Sequence, residues 1–454
     1  MQNRINAYLE EVAKRKRRRI SVSLFGFGST NKAVFQAIKD NPVCDIITER
    51  QTAMRTTALP SSIVQIPIER ARDLSEDIVF ASPSFRRDKA NWSRKTVITS
   101  DTEIFFESAN KKLFTVSGSD GKSTVTTLTS LMLAPSFHDI FVGGNLGCPL
   151  ASASMESDAF VLELSSFNLL YSAPRYGRGA LTSVSPNHLD WHSSLAEYYD
   201  CKLRLIDSVD EAVCSLDCDL LHQAAKDRRF FALVSDTHSH ADIKSGFKTE
   251  HTVTYEDRAI LVDGKRILSS DGLKRRERYN IQNVMLAIAM SLGYASKERI
   301  SEVAGSFDGL SNRCEIINIR GTDYVNSSID TTPHRTKTTL TGLDRKVRII
   351  LGGKGKGLSY EPLLEPLAKY AERIALYGSA AEEIVQMIRE TPDLANIPYE
   401  CFGKLCDAID YAADGAAFGD TVLLSPAATS YGEFDSFEQR GKYFKDYIKN
   451  ISKI

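Results

Sequence analysis

The chain has 454 residues, of which 42% are hydrophobic and 25% are charged, so its length corresponds to roughly three globular domains of about 150 residues each. Its formal net charge of -1 excludes an overall electrostatic attraction to nucleic acid or to an anionic membrane surface. Because no apolar run reaches about 18 residues, we expect no membrane insertion. The eight cysteines lack C-x-x-C spacing and are expected to be reduced thiols of a cytoplasmic protein.

The first predicted block, residues 1–101, begins with a basic run from Lys14 to Arg19. We interpret this run as the solvated end of a helix, rather than as a nucleic-acid patch or part of a signal peptide. Strand-like runs follow at 21–25, 45–48 and 77–83, and the first leads into Gly26-Phe27-Gly28. Loops at the ends of these strands are therefore the candidate binding elements of this block.

Strand-like and helical segments alternate through the rest of the chain, which predicts an α/β fold with parallel sheets. In the block 102–308 the predicted strands are 113–116, 159–162, 180–184 and 213–216. In the block 309–454 they are 347–351, 373–376 and 421–424, before a last amphipathic helix that begins near Glu438.

The most specific local motif follows the strand predicted at 113–116. Its sequence from Ser117 to Thr124, S-G-S-D-G-K-S-T, is similar to a P-loop, although Val116 stands where the strict pattern has its first glycine. Backbone N–H groups of such a turn can cradle phosphates at the start of the next helix, Lys122 can reach the β- and γ-phosphates, and the Ser123 hydroxyl can bind Mg²⁺. The alternative is an ordinary glycine turn.

Three further polar motifs follow in the same block: G-G-N-L-G with Asn145, E-L-S-S-F with Glu163, and N-H-L-D with His188. Because the carboxyl ends of parallel strands share one edge of a sheet, we expect these motifs beside the P-loop. There the Glu163 carboxylate and the His188 imidazole could hold a divalent metal. Taken alone, His188 would more often be a capping or surface histidine, and Lys202 on the next predicted helix a solvated charge.

Two amides stand farther along the chain, in Y-N-I-Q-N before an Ala/Leu-rich helix. Asn280 and Asn283 are three residues apart and would share one helix face. They could bind adenine edges or cap the helix.

In their order along the chain, these motifs resemble those of the Mur ligase family, and most closely its D-glutamate-adding branch. The resemblance covers nearly the whole chain. Its later motifs are C-K-L-R around Lys202, S-N-R-C-E around Arg313, G-G-K-G-K-G from Gly352 to Gly357, L-S-P-A from Leu424, and F-E-Q-R-G from Phe437.

The resemblance implies a fold and a reaction. We expect a Rossmann-like domain that binds UDP (1–101), a central P-loop ATPase domain (102–308) and a Rossmann-like domain that binds the amino acid (309–454). The implied reaction joins D-glutamate to UDP-N-acetylmuramoyl-L-alanine through an acyl phosphate and releases ADP and phosphate, as a cytoplasmic step of peptidoglycan precursor synthesis. ATP is a substrate, two Mg²⁺ ions assist, and a monomer without nucleic-acid partners is expected.

The resemblance also implies roles for single residues. The catalytic residues are Lys122, His188 and Lys202, the last carbamylated to serve as a carboxylate for metal. The metal ligands are Ser123, Glu163, His188 and carbamylated Lys202. The ATP contacts are Gly118, Ser119, Asp120, Gly121, Lys122, Ser123, Thr124, Asn280, Asn283 and Arg313. The UDP-muramoyl substrate would contact Gly28, Ser29, Thr30, Ser82 and Asn145, and glutamate would contact Thr331, Lys356, Ser430 and Phe437.

Several positions depart from the commonest pattern of the family. Asp120 replaces the P-loop asparagine, Asn187 replaces an aspartate before His188, and Ser84 replaces the glycine of an S-P-G turn. In the third block Ser327 stands where an aspartate is usual, and a carboxylate, Asp330, appears three residues later. A related ligase that adds another amino acid, a folylpolyglutamate-type synthetase, or a catalytically silent nucleotide-binding paralogue are the alternatives.

Overall fold

The computed structural model describes residues 1–26, 28–51, 64–67, 76–89, 95–188, 191–355 and 357–451. The chain divides into two compact units, Met1–Phe307 and Asp308–Ile454. None of the helices in the described part of the chain combines the length and the apolar character that crossing a membrane requires.

The first sheet contains five parallel strands in the order β3-β2-β1-β4-β5. The strands are β1 (Ile20–Phe25), β2 (Cys44–Gln51), β3 (Val64–Pro67), β4 (Ile78–Ala81) and β5 (Val97–Thr99), and the accompanying helices are α1 (Gln2–Lys16), α2 (Ser29–Ile38) and α3 (Asp101–Ser108). Helix α1 buries Ile5, Leu9 and Val12, which are spaced three or four residues apart. The basic run begins in the last turn of α1, which ends at Lys16, and continues beyond Arg17, which is left-handed. The run is not simply solvated, because Lys16 and Arg18 pair with the buried Asp77.

The second sheet has nine strands in the order β14-β13-β12-β11-β10-β9-β6-β8-β7. They are β6 (Lys112–Ser117), β7 (Ile140–Gly144), β8 (Ala159–Glu163), β9 (Arg178–Leu181), β10 (Glu211–Ser215), β11 (Arg229–Ser235), β12 (Lys248–Glu256), β13 (Ala259–Val262) and β14 (Lys265–Ser269). Strands β6 to β12 pair in parallel, and β13 and β14 extend the sheet as an antiparallel edge.

Seven α-helices connect or follow these strands in the described residues. They are α4 (Lys122–Leu133), α5 (Ser166–Tyr171), α6 (Leu195–Ser208), α7 (Asp219–Ala225), α8 (His240–Gly246), α9 (Arg278–Ser291) and α10 (Lys297–Ser306). All five residues of β8 are buried, as expected of a central strand with both faces covered. The loops after β6, β7, β8 and β9 therefore open at one edge of a rigid sheet.

The third sheet has six strands in the order β15-β16-β20-β17-β18-β19. They are β15 (Glu315–Ile319), β16 (Thr322–Asn326), β17 (Val347–Gly352), β18 (Ala371–Tyr377), β19 (Tyr399–Phe402) and β20 (Thr421–Ala427). Only β15 runs antiparallel to its neighbour. The helices are α11 (Pro333–Leu343), α12 (Leu364–Tyr370), α13 (Ala381–Glu390), α14 (Leu405–Ala413) and α15 (Phe437–Ile451).

The expected α/β class is confirmed, with three separate sheets that are wholly or mainly parallel. Each strand predicted from the sequence overlaps an observed one, and the last helix begins at Phe437, next to its predicted start. The division of the first unit near residue 101 stays a prediction.

Candidate active site

The predicted P-loop lies between β6 and α4, as a tight turn at the carboxyl end of a buried strand. Gly118 and Gly121 have φ angles of 144° and 78°, values that favour glycine. A Cβ atom on Gly118 would lie 2.0 Å from Thr182 Oγ1, and one on Gly121 would lie 2.2 Å from Asn283 Oδ1. The backbone of this turn is therefore packed so closely against β9 and α9 that side chains are excluded at both glycines.

Hydrogen bonds to the segment after β9 hold the loop in place. Ser119 N donates to Ser183 O at 2.7 Å, and Asp120 N donates to Ser183 Oγ at 3.1 Å. Ser119 Oγ lies 2.7 Å from Tyr198 Oη and donates to Ser185 O at 3.0 Å. Ser123 and Thr124 are buried in the first turn of α4. These hydrogen bonds thus fix the shape of the loop without a bound phosphate.

Two lysines converge on this turn. Lys122 Nζ donates to Ser119 O at 2.8 Å. Lys202, on α6, is only 2% exposed, and its Nζ donates to Ser117 Oγ at 2.9 Å and to Gly118 O at 2.8 Å. Burial lowers the pKa of Lys202 far below its usual value, and the charge of Lys122 lowers it further, against the opposing attraction of Glu163. Lys202 is therefore a buried amine whose charged form is disfavoured, and the solvated-surface interpretation of this lysine is wrong.

Glu163 ends β8 and is also 2% exposed. Its Oε1 accepts a hydrogen bond from Asn145 Nδ2 at 2.7 Å, whereas its buried Oε2 has no hydrogen-bond partner. The two backbones are also in contact, because Asn145 N donates to Glu163 O at 2.8 Å. Gly144 has a φ of 90°, and a Cβ there would lie 2.4 Å from Glu163 O, so this position requires glycine. A buried carboxylate oxygen without a donor is suited to bind a cation.

His188 lies on an exposed loop with a φ of 54°. Its N–H donates to Asn187 Oδ1 at 2.9 Å, its carbonyl accepts from Trp191 and His192, and its ring centroid lies 4.9 Å from that of Phe167. In the described part of the chain no three His, Cys, Asp or Glu side chains form a group that could hold a metal ion. A metal site here would rely on Glu163, on the Ser123 hydroxyl, and on groups supplied by the ligand or by modification of Lys202. The role of His188 as a metal ligand stays a prediction.

The two predicted adenine contacts differ in their surroundings. Asn280 is buried, and its Nδ2 donates to Arg275 O at 2.8 Å, so it fastens the segment before α9. Asn283 reaches the P-loop itself, next to Gly121. Of the two, Asn283 is the one placed beside a phosphate-binding turn.

In the first sheet the loops after β1 and β4 lie side by side. A Cβ on Gly26 would lie 3.2 Å from that of Ser82, and buried Asn31 donates to the carbonyls of Phe25, Gly26 and Phe80. Helix α2 starts here with Gly28 as its N-cap, so Ser29 and Thr30 form its first turn. Free N–H groups of such a turn attract anions. Phe27 lies outside the described residues.

In the second unit three of the four predicted glutamate contacts are described, two of them in loops and one at the start of a helix. Thr331 follows β16, Ser430 follows β20 and is buried, and Phe437 begins α15. Arg313 is half-buried in the turn before β15. Lys356 lies outside the described residues, so its role as a glutamate ligand stays a prediction.

The displaced carboxylate, Asp330, is only 4% exposed. Its Oδ2 accepts hydrogen bonds from Thr339 Oγ1 and from Ser425 Oγ, both at 2.7 Å. Ser327, the position where an aspartate is usual, is fully buried, and its Oγ accepts from Cys314 N at 3.3 Å. Asp330 thus joins β20 and α11 to the loop after β16.

Sequence reasoning missed two buried arginines. Arg440 has no exposed surface; it donates to the side chain and the carbonyl of Ser328, to Tyr377 Oη and to Ala428 O. Arg86 is 6% exposed and contacts Glu197 on α6. Arg440 stands in the F-E-Q-R-G motif and Arg86 stands four residues after Ser82, but spacing could not show that either side chain is buried.

Comparisons with known proteins agree with this arrangement. The family model of the Mur ligase middle domain matches residues 116–291, and that of the Mur ligase glutamate ligase domain matches residues 312–428. The UDP-N-acetylmuramoylalanine--D-glutamate ligase of Ruminiclostridium cellulolyticum is 28% identical over 99% of this chain and 100% of that protein. The enzyme of the same name from Clostridium novyi is 33% identical over 83% of each chain.

The fold has solved counterparts as well. The crystal structure of UDP-N-acetylmuramate-alanine ligase from Thermotoga maritima superposes with a TM-score of 0.59 at 17% identity and covers 95% of this chain and 100% of that one. Two family models together match most of the chain, and a relative above 30% identity extends over more than two thirds of it. The chain belongs to the Mur ligase family.

Proposed function

We propose that this protein is an ATP-dependent ligase that joins D-glutamate to UDP-N-acetylmuramoyl-L-alanine in the cytoplasmic synthesis of peptidoglycan precursors. The observation that carries the proposal is the meeting of the P-loop, Lys202 and the unpartnered Glu163 oxygen at one sheet edge. The names of the relatives support the choice of substrates. In the proposed layout a Rossmann-like domain binds UDP, the P-loop domain binds ATP, and the C-terminal Rossmann-like domain binds glutamate.

The chemical problem is that a carboxylate is a poor electrophile. In the proposed reaction a carboxylate oxygen of the alanyl group forms a bond to the γ-phosphorus of ATP, and the bond from that phosphorus to the β-phosphate oxygen breaks. This step gives an acyl phosphate and ADP. The glutamate amine then attacks the acyl carbon, loses a proton and expels phosphate, which leaves the amide.

Residues at the P-loop would stabilise the charge of this transfer. The amino-terminal end of α4 and the Lys122 ammonium would approach the phosphates, and their contribution would be largest where charge accumulates between ATP and the carboxylate. Mg²⁺ beside Glu163 and Ser123 would neutralise part of the triphosphate charge when bound.

Lys202 has a further proposed role. Burial disfavours the charged form of Lys202 and so favours the nucleophilic amine. Its Nζ would form a C–N bond to CO₂ and lose one proton, which yields a carbamate. Carbamylation would replace the ammonium group, which burial disfavours at this position, with a negatively charged group beside the phosphate site. His188 completes the proposed ligand set.

The test is phosphate release with UDP-N-acetylmuramoyl-L-alanine, D-glutamate, ATP and Mg²⁺, with each component omitted in turn and with L-glutamate and other amino acids in place of D-glutamate. We expect release only with the complete set. Lys122→Ala should lower kcat by at least about 100-fold, because a charge contact to the transferred phosphoryl is lost. Equal turnover without the muramoyl nucleotide, or with another amino acid preferred, would refute the assignment.

A further inference from the structure

A chain of four side chains lies beside the candidate site and is not part of it. Arg86 Nη1 and Nη2 donate to the two carboxylate oxygens of Glu197, at 2.5 and 3.2 Å. Glu197 Oε2 lies 3.1 Å from His192 Nδ1, and His192 Nε2 lies 2.9 Å from Ser166 Oγ. Arg86, His192 and Ser166 are 6%, 4% and 2% exposed. We refer to these four residues as the Arg86–Ser166 chain.

Each member comes from a different segment that carries predicted site residues. Arg86 stands in the loop after β4, with Ser82. Ser166 begins α5, directly after the strand that ends in Glu163. His192 follows the His188 loop, and Glu197 is on α6 together with Lys202. A second link runs in parallel, since Trp191 Nε1 donates to Ser84 O at 2.7 Å and Arg86 Nη1 donates to Trp191 O at 3.3 Å.

The charges of this chain fix its geometry. Burial would raise the pKa of Glu197, but hydrogen bonds from Arg86 and from Ser193 outweigh burial and lower it to about 2. Asp88 and Glu197 together raise the pKa of Arg86. Burial lowers the pKa of His192, which disfavours the imidazolium. The neutral tautomer that fits both contacts donates from Nδ1 to the Glu197 carboxylate and accepts at Nε2 from Ser166 Oγ. The half-buried Glu197 carboxylate lies between Arg86 and His192, so a displacement of α6 would break both contacts, while Arg86 would keep its other partner, Asp88.

We propose that Arg86, Glu197 and His192 are positioning residues that couple the UDP-binding loop after β4 to the helix that carries Lys202. The inference rests on the proposed function. When the UDP-sugar holds the Ser82 loop, the Arg86–Glu197 pair holds α6, and through it Lys202, in the place required for phosphoryl transfer. Loss of the pair should weaken binding of the muramoyl nucleotide and lower kcat, while ATP binding at the P-loop changes little.

The experiment compares wild type with Glu197→Gln, Arg86→Gln and the double variant, below the unfolding temperature of each. Glu197→Gln should raise KM for UDP-N-acetylmuramoyl-L-alanine at least about fivefold, lower kcat about tenfold and leave KM for ATP within about twofold. The double variant should be no worse than the more affected single variant, because both act through one pair. Arg86→Lys keeps the positive charge but not the bidentate contact with Glu197, so it should be more active than Arg86→Gln and less active than wild type.

A matched control is Glu211→Gln. Glu211 pairs with buried Arg178 at the amino-terminal edge of the second sheet, so this variant also removes the carboxylate partner of a buried arginine. Its kinetics should equal those of wild type. Additive effects of Arg86→Gln and Glu197→Gln, or an equal rise of KM for all three substrates, would show a merely structural role and overturn the inference.

Binding of UDP, measured by calorimetry without turnover, separates this inference from the proposed function. Glu197→Gln should bind UDP several-fold more weakly than wild type does. If wild type fails to turn over the muramoyl nucleotide but UDP binding falls in Glu197→Gln, the proposed function is wrong and the coupling stands. If turnover and UDP binding are both normal in Glu197→Gln, the coupling is wrong and the function stands.

Discussion

Asp330→Ala should destabilise the second unit markedly while leaving the use of glutamate intact. Two buried hydroxyls donate to this carboxylate, each at 2.7 Å. Hydrogen bonds to a charged group stabilise a protein by roughly 1.5–3 kcal/mol each. Ser425 keeps a second partner, Thr336 Oγ1 at 3.0 Å, so we take the lower end and expect a loss of about 3 kcal/mol.

The assay is thermal and denaturant unfolding. For a unit of roughly 150 residues, 1 kcal/mol shifts Tm by about 2–4 °C, so the expected decrease is about 6–12 °C. Thr339→Val removes one of the two donors and should cost about half as much. Asp323→Asn is the matched control, because Asp323 is 25% exposed and pairs with Arg345 near the surface, where ion pairs contribute less than about 1 kcal/mol.

Kinetics then decide whether the displaced carboxylate sets the amino-acid preference. The bonded partners of Asp330 named above are hydroxyls that fasten β20 and α11, so Asp330→Asn should leave KM for D-glutamate within about threefold. A Tm within about 2 °C of wild type in Asp330→Ala would refute the assigned hydrogen bonds. A tenfold rise of KM in Asp330→Asn without loss of stability would instead place the carboxylate in the substrate pocket.

Three further predictions concern other sites. Lys202→Ala should be nearly inactive and partly recovered by formate, since a small carboxylate can replace the carbamate; full activity without formate would exclude a role for this lysine. Lys356→Ala should raise KM for glutamate at least about tenfold and leave KM for ATP within about twofold, because one charge-assisted hydrogen bond to glutamate is lost. An equal rise of KM for ATP would contradict the assignment of Lys356 to the glutamate site. Asp77 is buried, which opposes ionisation, but Arg18, Lys16 and Ser21 N lower its pKa to about 2. The ionised Asp77 carboxylate therefore stabilises the folded protein by about 2 kcal/mol above about pH 4, and this contribution is lost as the pH falls toward 2. Asp77→Asn should be less stable than wild type at pH 7, and the difference in unfolding free energy should be smaller at pH 3. A difference that stays constant in denaturant unfolding would refute this.

The sequence alone determined ten of the strands, including the central strands of each sheet, and the phosphate-binding turn. Short runs rich in apolar and β-branched residues, such as 113–116 and 347–351, favour buried strands, and a glycine turn between strand and helix leaves few conformations for Gly118 and Gly121. The antiparallel pairs β13–β14 and β15–β16 were not predicted, because short half-exposed strands have weak patterns and depend on a neighbouring edge for their hydrogen bonds.

Only the tertiary structure decided which polar groups are buried together. Spacing could not distinguish Lys202 as a surface charge from Lys202 as a buried amine, because its partners at Ser117 and Gly118 come from a distant strand end. The partners of Asp330, and the pairing of Arg86 with Glu197, likewise join segments far apart in the chain. The charge state of such groups depends on desolvation and on the distance to neighbouring charges, and both are properties of the folded chain rather than of the sequence motif.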